Sequence, residues 1–241
     1  MSDIQEQISI LVEVQAVDEE ILQADRQIAA LDDEAVSLEQ EVAARETLVT
    51  SEKKDLEDLK KSYREREAEF KLNTDLIDKS NVKLRAVKTN KEYQSILKAI
   101  EDIQKKNSDL EDRMITLLDE IETAEAAVRE KETQLAAFIQ SSREKKETIA
   151  ASVRREQETV ESLNRKKAQI SAKADPQVIT ILDEVKKKVR GMAVAPVQQE
   201  ICMGCHMNIP PQLFNELQRF DELRFCPHCQ RIIYWKAKEN E

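Results

Sequence analysis

The sequence predicts a mainly α protein, in which a long helical hairpin precedes a small compact module. Two observations predict this division. Charged residues make up 36% of the 241 residues and aromatic residues only 4%, which is typical of long, charge-faced helices. Both glycines and all five prolines lie beyond residue 175, so the first 175 residues lack the strongest turn formers. We therefore divide the chain into a hairpin at 1–175 and a module at 176–241.

A heptad repeat predicts the first long helix. Every seventh residue from Val14 to Leu84 is apolar, at all eleven positions. The interleaved positions from Ala24 to Val87 are apolar at only half of their places. One continuous apolar seam beside a patchy one is typical of a coiled coil with polar layers. The strict seven-residue spacing predicts a left-handed supercoil.

A second apolar series, which starts at Tyr93 and runs to Phe138, predicts a second long helix. Its phase slips by four residues near 149–153, and the series resumes through Val160, Leu163 and Ile170. A four-residue insertion of this kind is a stutter, which locally relaxes the supercoil.

The turn between the helices is predicted near Lys88, at the middle of residues 1–175. Thr89 and Glu92 form a capping-box pair, in which the threonine hydroxyl accepts the Glu92 amide and the glutamate accepts the Thr89 amide. Ser80 and Asn81, just before it, are poor residues for a helix interior. The alternative is one continuous helix that pairs in parallel with a second chain.

Charge favours the antiparallel hairpin. Residues 1–58 carry 17 acidic and four basic residues. In a hairpin they would lie along residues 118–175, in which the stretch 143–173 carries nine basic and five acidic residues. We therefore expect Val14 to lie close to Ile170.

Short elements are predicted in the module. Pro176 suits the first turn of a helix that runs as far as a capping Gly191. The segment "MAVAPV" at 192–197 is predicted to be a strand, and "PPQLFNELQRFDEL" at 210–223 contains a predicted short helix. The aromatic residues concentrated here are expected to form the core of the module, and any exposed member would be a binding anchor: Phe214, Phe220, Phe225, Tyr234 and Trp235.

Two Cys-x-x-Cys pairs separated by twenty residues predict a zinc site with the ligands Cys202, Cys205, Cys226 and Cys229. Four thiolates close the tetrahedron and leave no position for a substrate, so we expect one structural zinc ion per chain. The site would carry a net negative charge, and Arg224 and Arg231 flank the second pair as donors. A module this small needs such a metal to fold.

The cysteines have three other interpretations. A redox dithiol explains one pair but not the second. Iron takes the same four ligands. His206 and His228 adjoin the cysteines, but four sulfurs already complete the coordination shell.

Charge and composition limit the function. The formal net charge is −10, which argues against wrapping of nucleic acid by the whole chain. The predicted tip, 79–91, nevertheless carries five basic residues and no acidic one: Lys79, Lys83, Arg85, Lys88 and Lys91. The N-terminal residues do not resemble a signal peptide, and we expect no membrane span, a cytoplasmic location and reduced cysteines. Both histidines lie in the metal module and no phosphate-binding loop is present, so we expect no enzyme activity.

The whole chain resembles a bacterial family of coiled-coil hairpin proteins with a C-terminal four-cysteine zinc ribbon. The resemblance rests on "TNKEYQSILKAIE" at 89–101, "GMAVAPV" at 191–197, "CMGCHMNIPP" at 202–211 and "CPHCQRIIYW" at 226–235. It implies the same four cysteine ligands, and links to flagellar biogenesis and to the alternative nitrogen sigma factor. His206 and Gln230 depart from the pattern, because zinc ribbons often have glycine at these positions.

Two functions are consistent with these observations, as hypotheses. In the first, the protein is an adaptor or chaperone-like protein that binds protein partners, such as a sigma factor or a flagellar component. In the second, the ribbon and the basic tip bind RNA or DNA. The near-neutral charge of the ribbon favours the first hypothesis. The sequence leaves the oligomeric state open.

Overall fold

The computed structural model of the protein describes residues 4–189 and 191–236. Two long helices, α1 (Ile4–Leu84) and α2 (Asn90–Ser171), form the hairpin. A shorter helix comes next, α3 (Pro176–Lys188). The C-terminal region then contains β1 (Val194–Gln198), β2 (Ile201–Cys202), α4 (Pro211–Leu217), β3 (Arg224–Phe225) and β4 (Ile232–Trp235). The mainly α fold with a hairpin and a C-terminal ribbon is therefore confirmed. Within the described residues, no helix combines the length and apolar character that a membrane span requires.

The contacts divide the chain into two compact units. The first consists of residues 1–34 and 148–241, and the second of residues 35–147. The first contains the start of α1, the end of α2, and all the later helices and strands. The second contains the remainder of both long helices and the turn between them.

In the second unit, ion pairs join α1 to α2 in antiparallel order. Lys60 Nζ lies 2.7 Å from Glu125 Oε1, and Lys53 Nζ lies 2.5 Å from Glu132 Oε1. Further along, Glu52 pairs with Lys131 and Glu39 with Lys146. As the residue numbers of the α1 partners fall, those of the α2 partners rise, so the predicted antiparallel pairing is confirmed.

Polar layers interrupt the seam of the second unit, as predicted. The Arg45 guanidinium lies over the Phe138 ring, 4.0 Å from its centroid. Asn107 is buried, and its Nδ2 donates to Thr74 Oγ1 at 3.4 Å. The buried Asn107 Oδ1 and Asn73 Nδ2 have no hydrogen-bond partner among the described residues. This layer is therefore incompletely satisfied.

The stutter lies earlier in α2 than predicted. As far as Phe138, the α2 residues that face α1 are spaced alternately three and four positions apart. The next two, Ser142 and Lys146, each follow at a spacing of four. The predicted position, 149–153, is wrong because it rests on apolar residues alone. Ser142 is buried although it is polar, so the apolar pattern conceals it.

The turn is held by half of the predicted capping box. The Glu92 amide donates to Thr89 Oγ1 at 3.4 Å, as expected. The Glu92 carboxylate, however, accepts the Thr89 hydroxyl at 2.7 Å instead of the Thr89 amide. The Tyr93 amide then donates to the Thr89 carbonyl at 3.1 Å and begins the helical pattern of α2.

In the first unit, α3 begins at Pro176 as predicted. The Asp175 side chain caps it by accepting the Gln177 amide at 2.9 Å. Its end differs from the prediction, because the C-cap is Val189 in an extended conformation and not Gly191. Gly191 has a φ of 79° and so makes a separate turn before β1.

The sheet has the order β2-β1-β4-β3. Strands β1 and β4 are parallel, and the two outer pairs are antiparallel. The predicted strand in 192–197 and the predicted helix in 210–223 are both confirmed.

Two apolar clusters lie on either side of this sheet. The base cluster joins the start of α1, the end of α2, α3 and the sheet: Ile10, Leu11, Val14, Val17, Ile170, Ala174, Val178, Leu182, Val185, Ala193, Val194 and Ile232. The ribbon cluster lies among the cysteines: Ala195, Val197, Cys202, Ile209, Leu217, Cys226 and Ile233. Val14 and Ile170 share the base cluster, so their predicted proximity is confirmed.

Buried glutamines of α1 join this helix to later segments of the first unit. Gln15 Oε1 accepts the Ala193 and Val194 amides, both at 2.7 Å, and its Nε2 donates to the Val194 carbonyl at 3.1 Å. Its side-chain amide thus pairs with the start of β1 as a neighbouring strand would. Gln7 Oε1 accepts the Asp175 amide at 2.8 Å.

An acidic residue also joins α1, α2 and α3. Asp18 pairs with Lys167 of α2 at 2.7 Å and with Lys186 of α3. Burial raises the pKa of Asp18, but the two lysines outweigh it, so the pKa is lowered from its usual value.

Candidate metal centre

The four predicted cysteines converge at one end of the sheet. Their sulfur atoms all lie within 4.8 Å of one another. Cys205 Sγ lies 3.7 Å from Cys226 Sγ, and Cys202 Sγ lies 4.0 Å from Cys229 Sγ. Zinc bonded to four sulfurs at about 2.3 Å in a tetrahedron would separate the sulfurs by about 3.8 Å. The residues present therefore fit one zinc ion.

Each cysteine pair lies on a tight turn that continues from a short strand. In the first, the His206 amide donates to the Cys202 carbonyl at 2.7 Å and the Cys202 amide donates to the Met207 carbonyl at 3.0 Å. In the second, the Gln230 amide donates to the Cys226 carbonyl and the Cys226 amide to the Arg231 carbonyl, both at 2.9 Å. The turns are equivalent, and each presents its two sulfurs on one side.

The residue after each pair has a left-handed backbone. His206 has a φ of 60° and Gln230 a φ of 63°. This conformation costs a residue with a Cβ about 1 kcal/mol or more, and glycine adopts it freely. His206 and Gln230 therefore keep the turn geometry that glycine would give, but they lower the stability of the folded protein.

The environment treats the thiols unequally. Burial raises the pKa of Cys202 to about 12 and also raises the pKa of Cys226. Burial alone would also raise the pKa of Cys229. Hydrogen bonds from the amide and side chain of Arg231, together with those from Cys226 and Cys205, outweigh burial and lower this pKa to about 6. Without metal, Cys202 and Cys226 would be neutral thiols beside the Cys229 thiolate. A bound dication supplies the charge that ionises all four.

Arg231 is the donor that supports the cysteine site. Its Nε donates to the Met192 carbonyl at 2.7 Å, and its side chain lies across Gly204. A Cβ on Gly204 would come within 2.6 Å of Arg231 Cδ, so a larger residue here would displace the Arg231 side chain. The other predicted donor, Arg224, instead pairs with Glu216 at 3.0 Å and Glu222 at 2.7 Å.

The histidines are placed differently from the cysteines. His228 is exposed, and its Nε2 forms a hydrogen bond with the Asn208 carbonyl at 3.0 Å. His206 is also exposed. The metal-ligand cluster found among the described residues contains the four cysteines and neither histidine.

The aromatic residues divide between core and surface. Phe214 and Trp235 pack against the ribbon cluster, and Tyr234 packs against the base cluster. Phe220 is half-buried and has a φ of 54°. Phe225, on the outer strand β3, is 43% exposed and is therefore the aromatic residue that meets the condition for a binding anchor.

The five basic residues of the predicted tip lie around the turn between α1 and α2, and all are exposed. Sequence patterns did not reveal Val82, which is exposed beside them. Val82 is 68% exposed and Tyr93 is 41% exposed. The sequence allows Tyr93 either as a member of the seam or as an anchor, and its exposure favours the second role.

Comparisons with known proteins agree with this geometry. Residues 201–233 match the C4-type zinc ribbon domain. The CT398 protein of Chlamydia trachomatis has a similar structure, with a TM-score of 0.86, 23% identity, and coverage of 97% of this chain and 99% of that one. A Mycobacterium smegmatis protein has a TM-score of 0.75 at 16% identity, covering 97% and 99%. The HP0958 protein of Helicobacter pylori has a TM-score of 0.61 at 15% identity, covering 99% and 100%.

At these identities the three structures support the fold and nothing finer. No curated protein matches the chain. The domain match covers the cysteines, and their sulfur positions fit zinc. Residues 201–233 are accordingly a C4-type zinc ribbon, joined to the helical hairpin through the base cluster.

Proposed function

We propose that the protein is a non-enzymatic adaptor that binds protein partners through its hairpin and its ribbon. The observation that carries this proposal is the exposure of large apolar side chains at both places: Val82 and Tyr93 at the tip, Phe225 and Met207 on the ribbon. Exposed apolar anchors favour protein contacts. A four-thiolate site has no open ligand position, so the zinc would be structural.

The resemblance to hairpin and zinc-ribbon proteins supports a narrower form of this proposal. The partners would be components of transcription, such as a sigma factor, or of flagellar assembly. We place this function in the cytoplasm, because reduced cysteines that hold zinc persist in a reducing compartment.

Immunoprecipitation of the tagged protein after mild cross-linking tests the proposal. We expect protein partners that remain after nuclease treatment. A Phe225→Ser variant should lose part of them, whereas His228→Ser, a change at another exposed ribbon position, should not. Recovery that depends entirely on nucleic acid would contradict the adaptor function.

Nucleic-acid binding is the second candidate, because the five tip residues are basic and exposed. If they bind phosphates, the logarithm of affinity for single strands should fall with the logarithm of salt by about 0.7 per contact. Replacing Lys83, Arg85 and Lys88 with glutamine would then flatten the slope by roughly two units. An unchanged slope would exclude the tip as the phosphate-binding site.

A further inference from the structure

We propose that the hairpin tip binds an acidic amphipathic helix of a partner protein. This inference rests on the proposed adaptor function and assigns the chemistry of one partner surface. The tip surface consists of the turn and the helix ends beside it: Lys79, Val82, Lys83, Arg85, Lys88, Lys91 and Tyr93. Charge, exposed apolar area and shape each contribute to the proposal.

The charge of the tip surface is uncompensated within the part of the chain that the structure describes. Along the arms of the same unit, Lys53, Lys60 and Lys131 each pair with a carboxylate of the opposite helix. The five basic residues of the tip surface have no ion pair among the described residues, and residues 79–91 contain no acid. Carboxylates of a partner would therefore give these residues ion pairs that they do not make within the described chain.

A cleft with apolar and polar walls lies within this basic surface. Its volume is about 420 Å³, and it is lined by Lys83, Ala86, Val87, Glu92, Ser95 and Ile96. Val82 and Tyr93 are exposed close by in the chain. Basic side chains around such a cleft complement an acidic segment that carries a few apolar anchors.

The structure of the tip favours a helical occupant. Residues 79–98 are helix or turn and present no strand edge for an extended peptide to join. An amphipathic helix places apolar residues three and four positions apart on one face, which suits a groove between two helices. Its acidic residues on either side of that face would meet the lysines and arginine.

The cleft also favours protein over nucleic acid. Ala86, Val87 and Ile96 line it and offer phosphate no side-chain hydrogen-bond donor. Glu92 also lines it, and because its carboxylate repels phosphate and acidic peptides alike, it does not distinguish the two. The same apolar residues gain free energy when they are covered by leucine or phenylalanine of a helix.

Fluorescence anisotropy with three labelled probes tests the proposal on the full-length, zinc-loaded protein. The first probe is a synthetic acidic peptide of about 20 residues with leucines on one helical face. The second has the same composition in shuffled order, so that the leucines share no face. The third is a uridine oligonucleotide of similar length. Because the first two probes have the same charge, the difference between their affinities measures the contribution of the apolar face.

We expect the patterned peptide to bind at least about tenfold more tightly than the shuffled one, the difference that one well-covered apolar anchor provides. Lys83→Gln, Arg85→Gln and Lys88→Gln together should weaken binding of both peptides, mainly through the association rate. Val82→Ser with Tyr93→Ser should reduce the preference for the patterned peptide and leave binding of the shuffled peptide unchanged. The control combines Lys54→Gln, Lys61→Gln and Lys145→Gln, which are exposed positions on the arms, and should have little effect.

Three results would overturn the proposal: equal binding of both peptides, no binding of either, or tighter binding of the oligonucleotide that the tip triple variant abolishes. The last would assign the tip to nucleic acid. If the tip variants still recover nuclease-resistant partners by immunoprecipitation, the adaptor function stands and only the assignment of the tip falls. Far-UV circular dichroism of every variant confirms that the exposed substitutions leave the helices intact.

Discussion

Arg231 and Arg224 flank the same cysteine pair but have different roles. Arg231 donates to Cys229 and packs over Gly204, whereas Arg224 neutralises Glu216 and Glu222. Sequence spacing predicted both as donors to the sulfurs. Spacing could not distinguish their roles, because the role of each arginine depends on which carboxylates lie beside it in the fold.

Arg231→Ala should weaken zinc binding by about 10–100-fold, because the Cys229 thiolate loses its charged donor. Competition with a chromogenic chelator measures the change in dissociation constant. Arg224→Ala is the matched control and should leave zinc affinity nearly unchanged. Equal losses in the two variants would mean that general positive charge, and not the hydrogen bond to Cys229, supports the site.

The left-handed residues His206 and Gln230 show what spacing can and cannot predict. Two Cys-x-x-Cys pairs predict the ligands and the turns, because only such turns bring four sulfurs together. The backbone conformation after each turn results from the same geometry, with φ near 60° at both places. Residue type did not reveal it, since glutamine has no preference for this conformation and histidine, although enriched in it, adopts it in a minority of cases.

At the scale of the helices, the polar layer at Asn107 is the clearest departure from an apolar seam. Buried amides of this kind cost stability, and they favour one register because any slip would leave them facing apolar residues. Here Asn107 Oδ1 and Asn73 Nδ2 lack partners among the described residues. The layer would therefore contribute more to register than to stability.

Asn107→Leu should raise the free energy of unfolding by about 1 kcal/mol, because a poorly satisfied buried amide is replaced by an apolar side chain. It should also loosen the register. Spin labels at the exposed positions Lys54 and Glu130 would then give a broader distance distribution. Gln104→Leu, an exposed change on the same helix, serves as the control. Lower stability with an unchanged distribution would show that the asparagine holds the seam by hydrogen bonding.

Gln15 makes side-chain hydrogen bonds between α1 and the start of β1, beside the apolar contacts of the base cluster. Gln15→Ala should lower the free energy of unfolding by about 2–3 kcal/mol, because buried amides of Ala193 and Val194 lose their acceptor. Urea unfolding monitored by the fluorescence of Trp235, the single tryptophan, measures this loss. Gln23→Ala, an exposed change on the same helix, should have little effect. Similar losses in both variants would contradict the pairing role of Gln15.

Neither this contact nor the order of the strands could be predicted from the sequence. Heptads predict which residues of α1 face α2, since the repeat is local and regular. Gln15 lies 179 residues from Val194, and no local pattern connects a helix glutamine to a distant strand. The parallel pairing of β1 with β4 likewise joins segments that are distant in the chain, and the sequence of one short strand does not specify its partner.

For the whole molecule, zinc should support the ribbon much more than the hairpin. We expect about one zinc per chain by elemental analysis of protein purified without added metal. Removal by a chelator should change Trp235 fluorescence strongly, because the ribbon cluster includes two of the cysteines. Far-UV circular dichroism should retain most of its helical signal, since residues 35–147 form a compact unit that contains no ribbon residue.

Cysteine-to-serine replacement at Cys226 and Cys229 should reproduce the effect of the chelator. A metal-free protein with unchanged tryptophan fluorescence, or protein purified with iron, would contradict the structural role of zinc. Loss of most of the helical signal would show instead that the hairpin depends on the ribbon for its stability.

Strand β4 limits how the chain length can vary in evolution or engineering. Ile232 belongs to the base cluster and Ile233 to the ribbon cluster, so successive residues serve opposite faces of the sheet. Two residues, Gln230 and Arg231, separate this strand from the last cysteine. Inserting or deleting one residue there would exchange the two faces and remove both isoleucines from their clusters. Tolerated insertions and deletions should therefore avoid this spacer, even though it lies beside an exposed turn where length changes are usually harmless.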